Sequence, residues 1–235
     1  MQRSLPVVRA RRRLSRVSDQ PVDGPARSAR ATPRAPRSVE ARRRQQEILH
    51  IATDTFAARG YNNASLAEIA DRVGLTQAGV LHYFRSKALL LTSVLELRDE
   101  ADIEQLGTER PQGLEFLRHL VATARRNAER EGIVRLYTVL SAESVTDAHP
   151  AQAYFRDRYA GLRAFVTDAV IEACGADEET RPAAQNAANA IIAVMDGLQV
   201  QWLLAPDNVD MVASTDLVIT SLLAHLAPER FSATT

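Results

Sequence analysis

The chain has 235 residues, 46% of them hydrophobic, and its 29 basic and 29 acidic side chains give a formal net charge of zero. That length and apolar content suit one or two domains around a sizeable core, while the single cysteine, Cys174, excludes an intramolecular disulfide framework and a cysteine-built metal site. The neutral total hides an asymmetry: residues 1–46 carry thirteen Arg against Asp19, Asp23 and Glu40, whereas residues 99–235 carry 11 basic against 21 acidic side chains. A basic head on an acidic body implies an anionic partner at one end only, because attraction to phosphate decays within about a Debye length.

No stretch approaches the roughly 18 uninterrupted apolar residues of a membrane span. The Arg-rich start lacks the apolar run of a secretory signal, Leu5, Val7 and Val8 around Pro6 being too few. Cysteine usage and these absences favour a reducing, cytoplasmic setting with no membrane partner; the competing reading of the acid-poor start is an organelle transit peptide. Residues 1–37 are Arg, Ser, Ala and Pro with hardly any large apolar side chain, a composition that cannot bury enough surface to offset ordering, so a disordered tail is expected there.

Helical periodicity begins after Ser38. Ile48, Ile51, Ala52 and Phe56 recur at helical spacing and the run stops at Gly60, which predicts a first helix over 39–59. Ser65-Leu66-Ala67-Glu68 has the form of a capping box and starts a short second helix that ends near Gly74. Thr76 offers the N-cap of a third helix running to Phe84, and Ser86 that of a longer fourth carrying Leu89, Leu90, Val94 and Leu97. Further helices are read at about 112–130, 132–146, 150–174, 182–204 and 209–226, separated by Pro111, Gly132, Pro150, Gly175, Pro182 and the Pro206-Asp207-Asn208 turn. No alternating strand pattern of useful length and no internal repeat is present.

Two short helices joined by a tight Gly-containing turn have the form of a helix-turn-helix. Ala70 is small where the helices approach, Gly74 sits in the turn, and Val80 can pack back toward Ile69. The plain alternative is an ordinary helical hairpin; the basic segment just upstream favours DNA binding.

The stretch from Gly60 to Leu91, GYNNASLAEIADRVGLTQAGVLHYFRSKALLL, resembles the DNA-binding domain of the TetR family of bacterial repressors, most diagnostically from Leu75 to Lys87. The resemblance implies an all-α homodimer: an N-terminal three-helix DNA-binding domain whose third helix enters the major groove, followed by a helical ligand-binding and dimerisation domain. The expected boundaries are a tail at 1–37, a helix-turn-helix domain at 38–86, and a body at 87–235 with the fourth helix as connector. Position by position, the resemblance gives Ser65 a phosphate at its helix start, Tyr83 a hydroxyl contact to the DNA backbone, and Lys87 a phosphate contact as a point charge. Base reading then falls to the early positions of the third helix, Thr76, Gln77, Ala78 and His82, with Gln77 able to bond adenine in a bidentate way. Leu81 departs from the family, which often has tyrosine there, so that phosphate contact is missing; Arg85 is either its replacement or a solvated charge. Arg42, Arg43 and Arg44 join the first helix and are expected near the same interface. The tail before them either tracks phosphates or adds nothing.

In the segment 182–204, Ile191, Ile192, Val194, Met195, Leu198, Val200, Trp202, Leu203 and Leu204 surround the helix on nearly every side, and 209–226 repeats the tendency with Leu217, Val218, Leu222 and Leu226. Such helices are buried all round, either within one chain or against a second subunit. Gln185, Asn189, Asp196 and Gln199 fall within about 80° of one another on a helix of 3.6 residues per turn. They form either a solvated edge or a pocket wall completed by Phe116, Tyr137, Ser141, Phe155, Phe165 and Trp202.

Glu143, Asp147 and His149 cluster at a helix break and are better explained as a cap and turn than as a metal site. Glu47-Ile48-Leu49-His50 matches the Glu-x-x-His spacing of di-iron bundles without the second pair such a site needs. No cofactor and no metal are therefore expected. The expected function is a ligand-responsive transcriptional regulator, most simply a repressor released from a palindromic operator by a small, largely apolar effector. An architectural DNA binder without a ligand is the alternative, and a helical enzyme or metal-binding bundle the weakest.

Overall fold

The computed structural model describes residues 37–104, 111–175 and 178–231; the expected disorder and DNA contacts of residues before 37 lie outside them. The chain divides into two compact units, Met1–Arg44 and Gln45–Thr235. Within the described residues every regular element is helical: α1 (Arg37–Asn63), α2 (Leu66–Val73), α3 (Gln77–Tyr83), α4 (Lys87–Glu104), α5 (Gly113–Ala128), α6 (Glu131–Glu143), α7 (Gln152–Cys174), α8 (Arg181–Leu204), α9 (Met211–Leu226) and α10 (Pro228–Phe231). Of the first unit, residues 37–44 are described, the opening turns of α1. There Arg42 and Arg43 are exposed, and Arg43 donates to Glu40 across 2.8 Å.

In the second unit, local chemistry sets the helix limits. Ser65, Thr76 and Ser86 accept from the backbone amides of Glu68, Gly79 and Leu89 at 3.0, 3.1 and 3.1 Å, satisfying donors that open helix ends leave free. Gly74 takes a left-handed φ of 71° after α2, and the Leu75 amide closes the turn on the Ala70 carbonyl at 2.9 Å. The capping box expected at Ser65 is only half made. The Glu68 carboxylate accepts from Arg59 at 2.8 Å, because the end of α1 lies within its reach. α10, a single turn after Pro228, was not foreseen, being too short to carry a periodic signal.

Burial falls into one large cluster at the N-terminal end of this unit and another through the body. The first joins Ile48, Phe56, Ile69, Val80, Phe84, Leu90 and Leu95 with Leu136, Tyr137, Leu140, Ala151 and Phe155 of α6 and α7. The second packs α5, α7, α8 and α9 through Leu117, Val166, Val170, Ala188, Ile191, Ile219 and Leu223. α8 is long and apolar enough to cross a membrane by length and composition. In this fold it is a continuous helix of the body in contact with α6, α7 and α9, its apolar sequence interrupted by Asp196. The apolar ring expected around it is incomplete here, since Val200 and Leu204 are 44% and 82% exposed, and Leu217 on α9 is 65% exposed.

Candidate nucleic-acid interface

The second helix of the motif has one sealed and one open side. Val80 is buried with Ile69 and Ala70, the contact expected from their spacing, and Phe84 and Val73 are buried in the same cluster. The residues in between, Thr76, Gln77, Ala78 and His82, all face solvent. Seven residues make about two turns, so this row presents a short ridge of an amide, a methyl and an imidazole, suited to base edges in a groove. The neighbouring α2, which contacts α3, is tied to α1. The Arg72 guanidinium of α2 donates to the Thr55 hydroxyl at 2.8 Å and meets Asp54 at 3.3 Å, and Arg59 reaches Glu68 from the other end.

Ser65 is exposed at the start of α2, Arg85 is exposed beyond α3, and Tyr83 is half-buried with its ring edge-on to His82. Lys87 is placed by contacts that no local pattern announced. Its Nζ sits 4.4 Å from the Tyr61 ring centroid and donates to the Asn62 carbonyl at 3.3 Å. Burial lowers its pKa, an effect opposed by the negative charge of Glu143. An ammonium has three donors, so the bond to Asn62 leaves others for a phosphate oxygen.

In the body the structure gathers some of the expected effector residues and separates others. Tyr137, Ser141, Phe155 and Asp196 meet in one network, with Tyr137 and Phe155 edge-on at 5.0 Å and Ser141 in bonding reach of the Tyr159 hydroxyl. The network also holds Asp99, Tyr154, Arg158 and Tyr159, which no local sequence pattern marks. Asp99 accepts from Tyr154 at 2.7 Å and from Arg158 at 2.8 Å, Tyr159 donates to Asp196 at 2.8 Å, and Arg98 and Arg158 lie over the Tyr137 ring at 4.2 and 5.0 Å. Burial raises the pKa of Tyr137, Tyr154, Tyr159 and the Asp196 carboxyl alike; for Asp196 the Tyr159 bond and the two arginines pull the other way.

Phe116, packed against the body cluster, instead pairs with Phe165 at 6.2 Å, and Trp202 packs with Leu198 and Met211 in a third, smaller cluster. Asn189 and Gln185 are exposed, whereas Gln199 is half-buried. A polar surface cleft of about 480 Å³ opens at the start of α5, between Gln112–Glu115 and Glu172–Ala173, and none of the expected effector residues lines it. Among the described residues no three His, Cys, Asp or Glu side chains are grouped to hold a metal. Glu143 and His149 do approach, at 3.7 Å, while Asp147 is exposed beside them.

A capped helix-turn-helix with a solvent-exposed second helix, set on an otherwise helical bundle, has the form of a DNA-binding transcriptional regulator. Residues 48–94 match the family described as "Bacterial regulatory proteins, tetR family", and residues 115–228 match "BetI-type transcriptional repressor, C-terminal". The chain belongs to the TetR family. It is 28% identical over 189 residues to the HTH-type transcriptional regulator TtgR of Pseudomonas putida, covering 75% of this chain and 88% of that protein. It is likewise 28% identical over 194 residues to the HTH-type transcriptional regulator BetI 1 of Chromohalobacter salexigens, covering 78% and 91%. Among solved structures it resembles NalD, titled the secondary repressor of the MexAB-OprM multidrug efflux pump in Pseudomonas aeruginosa, with a TM-score of 0.59 and 19% identity over 78% of this chain and 95% of that one.

Proposed function

We propose that the protein is a repressor that occupies a two-fold symmetric operator as a homodimer in the bacterial cytoplasm and leaves it when a small, largely apolar molecule binds in the body. The observation that carries the DNA half is the exposed ridge Thr76, Gln77, Ala78 and His82 on a helix whose other side is sealed. Gln77 and His82 read base edges, Tyr83 and Lys87 hold phosphate, and Ser65 offers the start of α2 to a second phosphate. Dimerisation through α8 and α9 is supported by the uncovered Val200, Leu204 and Leu217, since exposed apolar side chains gain by meeting a copy of themselves.

The effector site proposed is the network between α4, α6, α7 and α8. Tyr137 is buried there, and its hydroxyl has no hydrogen-bond partner among the described residues. An unpaired buried hydroxyl costs about 1–3 kcal/mol, so an entering molecule with an acceptor recovers that energy while its apolar part meets Phe155 and the neighbouring tyrosines. Linkage then requires the operator to weaken effector binding by the factor by which effector weakens the operator.

The deciding experiment is selection of bound sequences from random DNA by the purified protein, followed by titration of the enriched fragment with apolar compounds. A palindrome and its release by a compound, with a weaker response in Tyr137→Phe, are expected. Absence of any enriched sequence would assign the protein to architectural DNA binding instead. Gln77→Ala should relax base preference at one position per half-site without altering the salt dependence of binding.

A further inference from the structure

We propose that Glu143 is a positioning residue for DNA binding: from the end of α6 it clamps the last turn of α1 and thereby fixes Lys87. The inference rests on the phosphate role proposed for Lys87. α1 is broken at Gly60, whose φ of 71° and ψ of −180° leave the Tyr61 amide facing out of the helix. That amide donates to Glu143 Oε2 at 2.6 Å, across 82 residues of sequence. Position 60 has room for this carboxylate only as glycine, because a Cβ there would lie 2.7 Å from Glu143 Cδ.

The ring of Tyr61 completes the relay. Lys87 rests on its face at 4.4 Å and His149 meets it edge-on at 5.2 Å. His149 in turn is aimed at Glu143: its Nδ1 accepts from the Ala151 amide at 3.2 Å, so the neutral ring carries its proton on Nε2, which faces Glu143 Oε2. Ala148 adopts a φ of 59° to make that turn, a conformation alanine holds only where its surroundings enforce it. Glu143, carried at the end of α6 with His149 Nε2 3.7 Å away and outside hydrogen-bond distance, thus grips the segment that carries the Lys87 platform. Movement of α6, which also bears Tyr137 and Ser141 of the proposed effector site, is transmitted to the DNA-facing lysine through one hydrogen bond and one ring.

The test is a double-mutant cycle on the full chain, read as the slope of log affinity against log salt for the DNA fragment selected from random sequence. Lys87→Met should lower the slope by about 0.9 per subunit in the wild-type background and by less than half as much in Glu143→Leu. Glu143→Gln, which keeps an acceptor for the Tyr61 amide, should restore the full Lys87 effect. If Lys87→Met leaves the wild-type slope unchanged, the phosphate role of Lys87 falls and the positioning role with it. If Lys87→Met acts fully and equally in all backgrounds, Lys87 stands and the clamp is refuted; Gln behaving as Leu refutes it as well. Should Glu143→Leu fail to fold, Tyr61→Leu removes the ring and keeps the amide. It is expected to blunt the Lys87 effect, and an unblunted effect refutes the relay.

Discussion

Substituting alanine for Gly60 tests the break in α1 as a thermodynamic object. With φ at 71° and ψ at −180°, the backbone lies in a region open almost only to glycine, and holding a side chain there costs about 1–3 kcal/mol. The added methyl also meets the Glu143 carboxylate, which must withdraw and give up its charged hydrogen bond to the Tyr61 amide, worth about 1.5–3 kcal/mol. The two costs separate in a cycle. In the wild-type background Gly60→Ala should destabilise by their sum, on the order of 2.5–6 kcal/mol, but in Glu143→Ala only the backbone cost of about 1–3 kcal/mol should remain. Urea unfolding at one fixed protein concentration measures both, the fixed concentration being needed because a dimer's midpoint depends on it. Equal losses in the two backgrounds would show that Glu143 and Gly60 are energetically independent and would remove the clamp's physical basis.

Asp196→Asn should stabilise the fold at neutral pH. The carboxyl's pKa is raised, chiefly by burial, so the native state binds its proton more tightly than the unfolded chain and loses stability as pH rises above the ordinary carboxylate range. Urea midpoints from pH 4 to 8 should show an advantage for Asn that vanishes at the acid end; an advantage constant with pH would refute the assignment. Leu204→Glu and Leu217→Glu should each shift the protein toward monomer in sedimentation without loss of helix signal, and dimers of unchanged affinity would exclude α8 and α9 as the interface. Arg72→Ala, removing an exposed ion pair and a bond to the buried Thr55 hydroxyl, should cost about 1 kcal/mol and weaken DNA binding mildly; a loss of several kcal/mol would mean that α2 depends on more than these contacts.

Features that act over a few residues were legible in the sequence. Ser65, Thr76 and Ser86 announced their helix starts through their own hydroxyls, Gly74 its turn through its missing Cβ, and Val80 its packing toward Ile69 through its spacing, while the open positions Gln77, Ala78 and His82 followed from the family resemblance. The interior network was not legible, since Tyr154, Arg158 and Tyr159 reach partners 55, 59 and 37 residues away, a pairing decided by how α4, α7 and α8 pack. For the same reason Glu143 and Gly60 each looked local, one a turn residue and the other a helix stop. Phe116 and Phe165 pair with each other at 6.2 Å, apart from the tyrosine network, a placement that their aromatic character did not announce. Aromatic content alone does not distinguish a wall from a core.

The cluster under the reading ridge is not self-contained, because Leu136, Tyr137, Leu140, Ala151 and Phe155 supply part of it from far along the chain. This limits how such proteins can be recombined. A chimera that joins the first 86 residues to another regulator's body inherits a reading head shaped for a floor it no longer has. Graft compatibility is then decided less by the connecting helix than by whether the new body offers side chains of matching volume at those five places.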